Sequence, residues 1–215
     1  MRIENIMRKR VVTATPSTTI GEALQLLKEN RIRHLPVVEQ ERLVGIISDR
    51  DLGEALPSVL LPREDDGLAI LNQPVSAIMK RQVLTAHPLD FIEDAAMQIY
   101  EHKVGSLPVV EGNRLVGIIT ESDLFTSLIE LFGVNKPSCH IEVEVDDRVG
   151  MLAEVSQVFR EAQVNVSSIV VFPGSQPAKK CLVFRAQTID PRPLVQKLRT
   201  QGFTVIAPGE GGMHP

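Results

Sequence analysis

The chain contains no tryptophan and one tyrosine among 215 residues, so any core it forms is aliphatic. It has two cysteines, Cys139 and Cys181, with no Cys-x-x-Cys pair or Cys/His cluster beside them. That excludes a disulfide framework and argues against a metal site, so both thiols read as buried and inert. No block of like charge occurs, and 23 Lys and Arg against 27 Asp and Glu leave a formal net charge of −4. Nucleic-acid binding, which concentrates Lys and Arg, is not expected. No apolar run approaches a membrane span. The segment Met1-Arg2-Ile3-Glu4-Asn5 lacks the apolar region and small-residue cleavage site of a signal peptide. The expectation is a soluble, cytoplasmic protein. Catalytic constellations are missing as well: His87, His102 and His140 have no Ser, Cys or carboxylate arrangement that suggests a triad, and there is no phosphate loop or zinc motif.

What the chain does have is a duplication. Leu43-Val44-Gly45-Ile46-Ile47-Ser48-Asp49-Arg50-Asp51-Leu52 returns as Leu115-Val116-Gly117-Ile118-Ile119-Thr120-Glu121-Ser122-Asp123-Leu124. Residues 3–52 align with 75–124 without a gap, at an offset of 72, with 22 identical pairs of 50. Average residue usage would give about one identity in sixteen by chance. Each copy of the motif is a β-branched apolar run, a buried strand, followed by a hydroxyl residue and, three positions on, an aspartate. That places a hydroxyl and a carboxylate where a strand enters a helix. A carboxylate can accept both hydroxyls of a ribose, and a helix start favours an anion. The same spacing is also a capping motif, so one isolated copy would decide nothing.

Within a repeat, Val11-Val12-Thr13 reads as a short extended segment and Thr15-Pro16-Ser17 as a turn. Thr19 caps a helix with apolar positions Ile20, Ala23, Leu24 and Leu27. His34 to Val38 is a strand with Pro36 near its start, which places it at an edge or opens the strand there. A polar hairpin turn then leads into the motif strand. Each unit is β-α-β-β-α and leaves one sheet face apolar, so the two should pack together. Residues 53–74, with Pro57, Pro62 and Pro74, read as an irregular excursion with a helical turn near Leu68–Leu71.

After Asn135-Lys136-Pro137, read as a hinge, the pattern changes. The strictly alternating strand Ile141–Val145 is followed by a turn at Asp147–Gly150 and a helix from Met151. Strands at Asn165–Phe172 and Cys181–Gln187, a helix with Pro193 in its first turn, and a last strand at Phe203–Ile206 complete a βαββαβ order. That order predicts a ferredoxin-like sandwich. Cys139 and Cys181 start antiparallel neighbours in it, about 20 Å apart over six residues, which precludes a bridge. Residues 209–215 read as a frayed tail.

The motif pair, with His34-Leu35-Pro36-Val37-Val38 and Ser106-Leu107-Pro108-Val109-Val110, resembles tandem CBS domains, a Bateman module. The resemblance implies a sensor of adenine nucleotides (AMP, ADP, ATP or related ligands) with no required cofactor. It implies that Asp51 and Asp123 hold ribose, with Ser48 and Thr120 beside them, and that Thr13, Thr85, Pro36 and Pro108 lie near the base. Arg33 and His34 resemble phosphate-binding pairs, and Arg50 stands between Ser48 and Asp51. The second repeat has Gly105-Ser106 and Ser122 at these places, so its motif keeps the ribose groups but loses charge. Unequal sites follow, with Arg33, His34 or Arg50 able to serve a ligand held mainly by the second motif.

Val145-Asp146-Asp147-Arg148-Val149-Gly150-Met151-Leu152 and Asn165-Val166-Ser167-Ser168-Ile169 resemble an ACT domain, though such domains usually carry proline where Val149 stands. This implies an amino-acid or other small effector at Asp147, Gly150, Leu152 and Asn165. Docking or dimerisation without a ligand is the alternative. The order of modules is similar to the acetoin-utilisation family, which implies regulation near acetoin or acetate metabolism. The expected organisation is α+β: repeat 1 with its connecting segment at 1–74, repeat 2 at 75–133, and the sandwich at 137–208. The expected function is a non-catalytic regulator, a homodimer with exposed sheet surface, acting on a protein target the sequence does not name.

Overall fold

The computed structural model describes residues 1–55 and 69–208. The chain divides into two units, Met1–Phe125 and Thr126–Pro215. In the first, helix α1 (Ile20–Asn30) opens on a complete capping box: the Thr19 hydroxyl accepts from the Glu22 N–H while the Glu22 carboxylate accepts from the Thr19 N–H. Ile20, Ala23 and Leu27 form its buried face. The hairpin β1 (His34–Glu39) and β2 (Arg42–Ser48) follows, turning through Gln40 and Glu41, which both have positive φ. Helix α2 (Asp49–Ala55) starts directly from β2. The second repeat returns the same elements as α3 (Ile92–His102), β3 (Ser106–Glu111), β4 (Arg114–Thr120) and α4 (Glu121–Leu131), the last of which crosses the division between the units.

The expected first strand of each repeat is reduced to one residue. Ala14 bridges Val37 in parallel and Ala86 bridges Val109, while the segments before them stay outside the ladder. Three residues ahead of a proline turn are too short to extend the pairing. The sheet order is β1-β2-β4-β3, with β2 and β4 meeting at Arg42 and Arg114, so β1 with Pro36 is an edge strand. Most of the excursion between the repeats and the expected tail lie outside the described residues; residues 69–71 are helical.

The repeats exchange their leading segments. The turn Ile3–Asn5 packs its buried Ile3 with Ile92, Leu107, Val109 and Ile119 of repeat 2, and Met7 packs there too. The matching turn Val75–Ala77 packs Val75 and Met79 with Ile20, Leu35, Val37 and Ile47 of repeat 1. Backbone hydrogen bonds fix both: Ile3 N–H to the Asp90 carbonyl, Val75 N–H to the Thr18 carbonyl, and bridges Arg8–Ile118 and Ile46–Lys80. Gly45 and Gly117 explain their own identity here. A Cβ on Gly45 would stand 2.7 Å from Met79 Sδ, and one on Gly117 would stand 2.6 Å from Met7 Sδ.

The second unit carries β5 (Cys139–Asp146), α5 (Met151–Glu161), β6 (Val166–Pro173), β7 (Lys179–Ala186), α6 (Arg192–Thr200) and β8 (Thr204–Ala207). The strand order β6-β7-β5-β8 is antiparallel throughout, as the βαββαβ reading requires. Ile141, Val143 and Val145 alternate inward against Val155, Val158 and Leu198, and Phe159 stacks on Phe184 at 4.5 Å. Cys139 pairs with Ala186 and Cys181 with Glu144, so the thiols are far apart along the ladder and both are free. They are half-buried rather than buried. Cys139 Sγ donates to the Thr188 carbonyl, and partial burial raises the Cys181 pKa, with Glu142 and Glu144 adding to the rise.

Candidate functional site

At each strand-to-helix junction the hydroxyl residue and the aspartate cap one another. Asp51 Oδ2 accepts from the Ser48 N–H at 2.8 Å and the Ser48 hydroxyl at 2.6 Å, and the Asp51 N–H donates to Ser48 Oγ at 3.2 Å. Thr120 and Asp123 repeat this at 3.0, 2.6 and 3.3 Å. The capping arrangement is therefore real, and it uses one oxygen of each carboxylate. The other oxygen takes a cation from an exchanged segment: Lys80 Nζ lies 2.8 Å from Asp51 Oδ1, and Arg8 Nε lies 3.0 Å from Asp123 Oδ1. Lys80 and Arg8 are equivalent under the offset of 72. Burial raises the Asp51 pKa, but the hydrogen bonds from Lys80 and Ser48 outweigh it and hold the carboxyl below its usual range.

Two cavities flank these junctions. The larger, about 490 Å³, is lined by Ser48, Asp49, Arg50 and Asp51 of repeat 1, by Lys80 to Leu84 apart from Arg81, and by Ile99, Tyr100, Lys103, Val104, Gly105, Ser106 and Glu121 of repeat 2; Arg33 and His34 also reach it. The smaller, about 270 Å³, is lined by Arg8, Arg10, Val11, Val12 and residues 30–34 from the repeat 1 side, with Ile118, Thr120 and Ser122 from the second motif. Each cavity is thus built from both repeats. Burial holds the His34 imidazole below its usual pKa, with Arg33 lowering it further against Asp49, Glu121 and Asp51. The His34 ring sits close to Gly105, where a Cβ would come within 2.7 Å of Nε2.

Of the residues singled out in the sequence, Arg33, His34, Ser48, Arg50 and Asp51 come together on the larger cavity. Thr120 lines the smaller one, joined to Asp123 by the cap. Thr13, Thr85, Pro36 and Pro108 line neither. Both prolines are buried under the hairpins, while the residues before the two threonines, Val12 and Leu84, reach the cavities instead. Charge does not follow the motifs: because the cavities are built crosswise, Arg31 and Arg33 of repeat 1 stand opposite Thr120 of repeat 2. Lys80, Arg8, Arg10 and Tyr100 escaped the sequence reading, and Ser106 figures there only as a place where the second repeat loses charge. The offset of 72 pairs Lys80 with Arg8 and could have flagged them, but only the exchange shows what they face.

In the second unit, Gly150 caps α5 with φ 95°, a left-handed conformation that favours glycine. Arg148 spans the turn to Glu154 through two hydrogen bonds, and Asp147 lies 3.4 Å from Lys180. Leu152 and Asn165 are exposed, and the Asn165 carbonyl accepts from the Gln187 N–H. Asp146 pairs with Lys179 at one end of the sheet, whereas Val166 and Cys139 both pair with Ala186 at the other. The ladder positions of Asp146 and Val166 are seven residues, about 23 Å, apart, so Asn165 stands at the opposite end of the sheet from the Asp147–Gly150 turn. One chain does not bring these candidates together. No group of His, Cys, Asp and Glu among the described residues is arranged to hold a metal ion. No helix among them is long and apolar enough to cross a membrane.

The CBS domain family profile matches residues 3–58 and 75–130, and the ACT domain profile matches residues 140–199. Among solved structures, the Vibrio cholerae protein assigned to acetoin utilization (AcuB) is 33% identical, with a TM-score of 0.54, covering 65% of this chain and 98% of that one. The CBS domain pair of protein MJ0100, solved with 5′-methylthioadenosine and S-adenosyl-L-methionine, is 31% identical with a TM-score of 0.51, over 63% of this chain and 98% of that one. CBSX2, solved in complex with AMP, is 28% identical with a TM-score of 0.51, over 60% of this chain and 96% of that one.

Proposed function

Because this chain belongs to the CBS-domain family, with an ACT domain behind its CBS pair, we propose that it is a non-catalytic sensor of adenine nucleotides or related adenosine-bearing ligands. One observation carries the reading: two equivalent carboxylates, Asp51 and Asp123, are each fixed by a cap at the edge of a cavity that both repeats build. Fixing the carboxylate in advance removes part of the ordering cost of gripping a ribose. The larger cavity has the volume of a small-molecule site. Two CBS pairs of similar structure were solved with ligands that share adenosine.

In this reading Arg33, His34, Ser48, Arg50, Asp51, Thr120 and Asp123 hold the ligand, with Lys80 and Arg8 as the groups a ribose displaces, while Thr13, Pro36, Thr85 and Pro108, expected near the base, stay outside both cavity walls. Occupancy biases the packing of the two repeats, and a metabolic partner reads the difference; the likeness to AcuB points to acetoin or acetate metabolism. The second unit takes an amino acid or other small effector through Asp147, Gly150, Leu152 and Asn165. Their separation within one chain favours a homodimer in which two copies complete the site. A specific observation favours a second reading, a docking subunit with vestigial sites: both carboxylates are already neutralised, by Lys80 and Arg8.

Thermal melting with AMP, ADP, ATP, S-adenosylmethionine and NAD separates the two. A ligand at a hundred times its dissociation constant adds about 2.7 kcal/mol of stability. The quantity compared is the ligand-induced shift, since Asp51→Ala and Asp123→Ala also lose a helix cap. The sensor reading expects one of these ligands to raise the melting temperature and the two variants to reduce that rise. A melting temperature unmoved by every ligand leaves the docking subunit standing.

A further inference from the structure

Three features of the two cavities go beyond ribose capture. First, the smaller cavity gathers Arg8, Arg10, Arg31 and Arg33, and the carboxylate beside it, Asp123, is already engaged by Arg8 and the Thr120 cap. The guanidinium groups of Arg10, Arg31 and Arg33 form no ion pair among the described residues. Guanidinium groups brought together without counter-charges repel one another, and the planar fork of each matches a phosphate. Second, Arg31 closes α1 with φ 52°, in the left-handed conformation that a helix end usually gives to glycine. A long cationic side chain stands where glycine is the comfortable residue and reaches the cavity. Lys103 does the same at the larger cavity with φ 54°. A cation at each helix end is thus common to both, and the contrast rests on Arg10 and on the carboxylates of the larger wall.

Third, the larger cavity is different in kind. Its wall sets three carboxylates, Asp49, Asp51 and Glu121, against four cations. Where the smaller cavity has Arg33 and His34, the equivalent positions here are Gly105 and Ser106. Gly105 leaves room for the His34 ring, and Ser106 is only 5% exposed, with its hydroxyl making no hydrogen bond. A buried hydroxyl without a partner is costly and uncommon, and this one belongs to a cavity wall.

Building on the nucleotide-sensor reading, we infer that the two cavities sort ligands by charge: the smaller takes the polyphosphate of a nucleotide, and the larger takes a nucleoside-type ligand of low net charge whose polar edge satisfies the Ser106 hydroxyl. Arg33 and His34 line both cavities, so a ligand in one changes the wall of the other. The duplicated ribose grip is thereby put to two uses. The difference rests on the side chains that the offset aligns, Arg10 with Gln82, Arg33 with Gly105 and His34 with Ser106.

Isothermal titration of the full chain with ATP and with adenosine tests this, each alone and in the presence of the other. Adenosine is expected to stay bound at ATP concentrations that fill one site. The double variant Arg10→Gln/Arg31→Gln should weaken ATP by about tenfold or more, the loss of a charge-assisted contact, and leave adenosine unchanged. Ser106→Ala should weaken adenosine by about fivefold and leave ATP unchanged. Displacement of adenosine by ATP at those concentrations overturns the sorting, as does either variant weakening both ligands alike. If wild-type chain binds neither ligand, the nucleotide-sensor reading itself fails, and the sorting with it.

Discussion

Gly117→Ala tests the exchange of leading segments on which both cavities depend. The added Cβ would meet Met7 Sδ at 2.6 Å, Met7 Cγ at 3.1 Å and the Arg8 carbonyl oxygen at 3.2 Å. The thioether can swing aside. The carbonyl cannot follow easily, because it accepts the Ile118 N–H at 3.1 Å while the Arg8 N–H donates to the Ile118 carbonyl at 2.9 Å. Overpacking of this kind costs about 1–3 kcal/mol. Met7→Ala removes the two closest atoms, so in its presence Gly117→Ala should cost only what the carbonyl contact leaves. The coupling between the two changes should then be about 0.5–3 kcal/mol, the range for side chains in direct contact. Urea denaturation of the full chain, followed by circular dichroism since the protein has no tryptophan, reads all four members of the cycle. The shift belongs to the transition of the Met1–Phe125 unit. Gly45→Ala with Met79→Ala repeats the test at the other junction, where the corresponding contacts are 2.7 and 3.1 Å. If Gly117→Ala leaves stability unchanged, or if the two substitutions simply add, Met7 does not lie against the second motif and the exchange is wrong.

The pH dependence of stability should carry a His34 component. Burial lowers the folded pKa of this imidazole below its ordinary 6.5, so the unfolded chain binds the proton more readily. Stability is full above about pH 6.5 and falls as the pH drops from there toward the depressed folded value; His34→Gln should flatten that fall in chemical-denaturation curves, and an unchanged profile refutes the assignment. Oxidation of the folded chain should leave Cys139 and Cys181 uncrosslinked within one molecule, because their ladder positions are five residues apart, about 17 Å. Mass spectrometry of the non-reduced digest showing a 139–181 peptide would contradict the sheet register.

Much of the fold was legible because its signals are local or periodic. Thr19 and Glu22 announce a capping box, Ile141, Val143 and Val145 alternate, and Pro36 marks an edge; the structure realises each of these. The exchange of leading segments was not legible. Ile3 and Val75 are aligned by the repeat, so each pattern fits packing on its own repeat as well as on the other, and no local propensity distinguishes the two. The crosswise placement of charge, which the sequence left open for Arg33, His34 and Arg50, follows from that. Arg31, Arg33 and His34 precede the first motif in the chain, yet they also face the second, since a chain cannot show which of two equivalent hairpins a helix end will oppose. In the sequence Ser106 marks only a lost charge, because a serine's further role shows only when its hydroxyl is found buried without a partner.

Capping and ribose binding first stand as rival explanations of Ser48 with Asp51. The geometry makes them compatible, because the cap uses Oδ2 and leaves Oδ1 to Lys80. The remaining question is whether Lys80 forecloses the site. Its side chain is 65% exposed although Asp51 is only 12% exposed, so the lysine makes one charge-assisted hydrogen bond, about 1.5–3 kcal/mol, and can leave into solvent. Two ribose hydroxyls donating to a carboxylate make charge-assisted hydrogen bonds of about 1.5–3 kcal/mol each. Two ribose hydroxyls in place of one ammonium leave one charge-assisted hydrogen bond in surplus, and the freed ammonium remains beside the cavity as a counter-charge for an anionic ligand. The same balance holds at Asp123, where Arg8 is 58% exposed. The ion pairs keep the empty carboxylates from standing unpaired at a partly buried junction, and their exposed cations can leave. The neutralising ion pairs therefore fit a ribose site as well as a docking subunit.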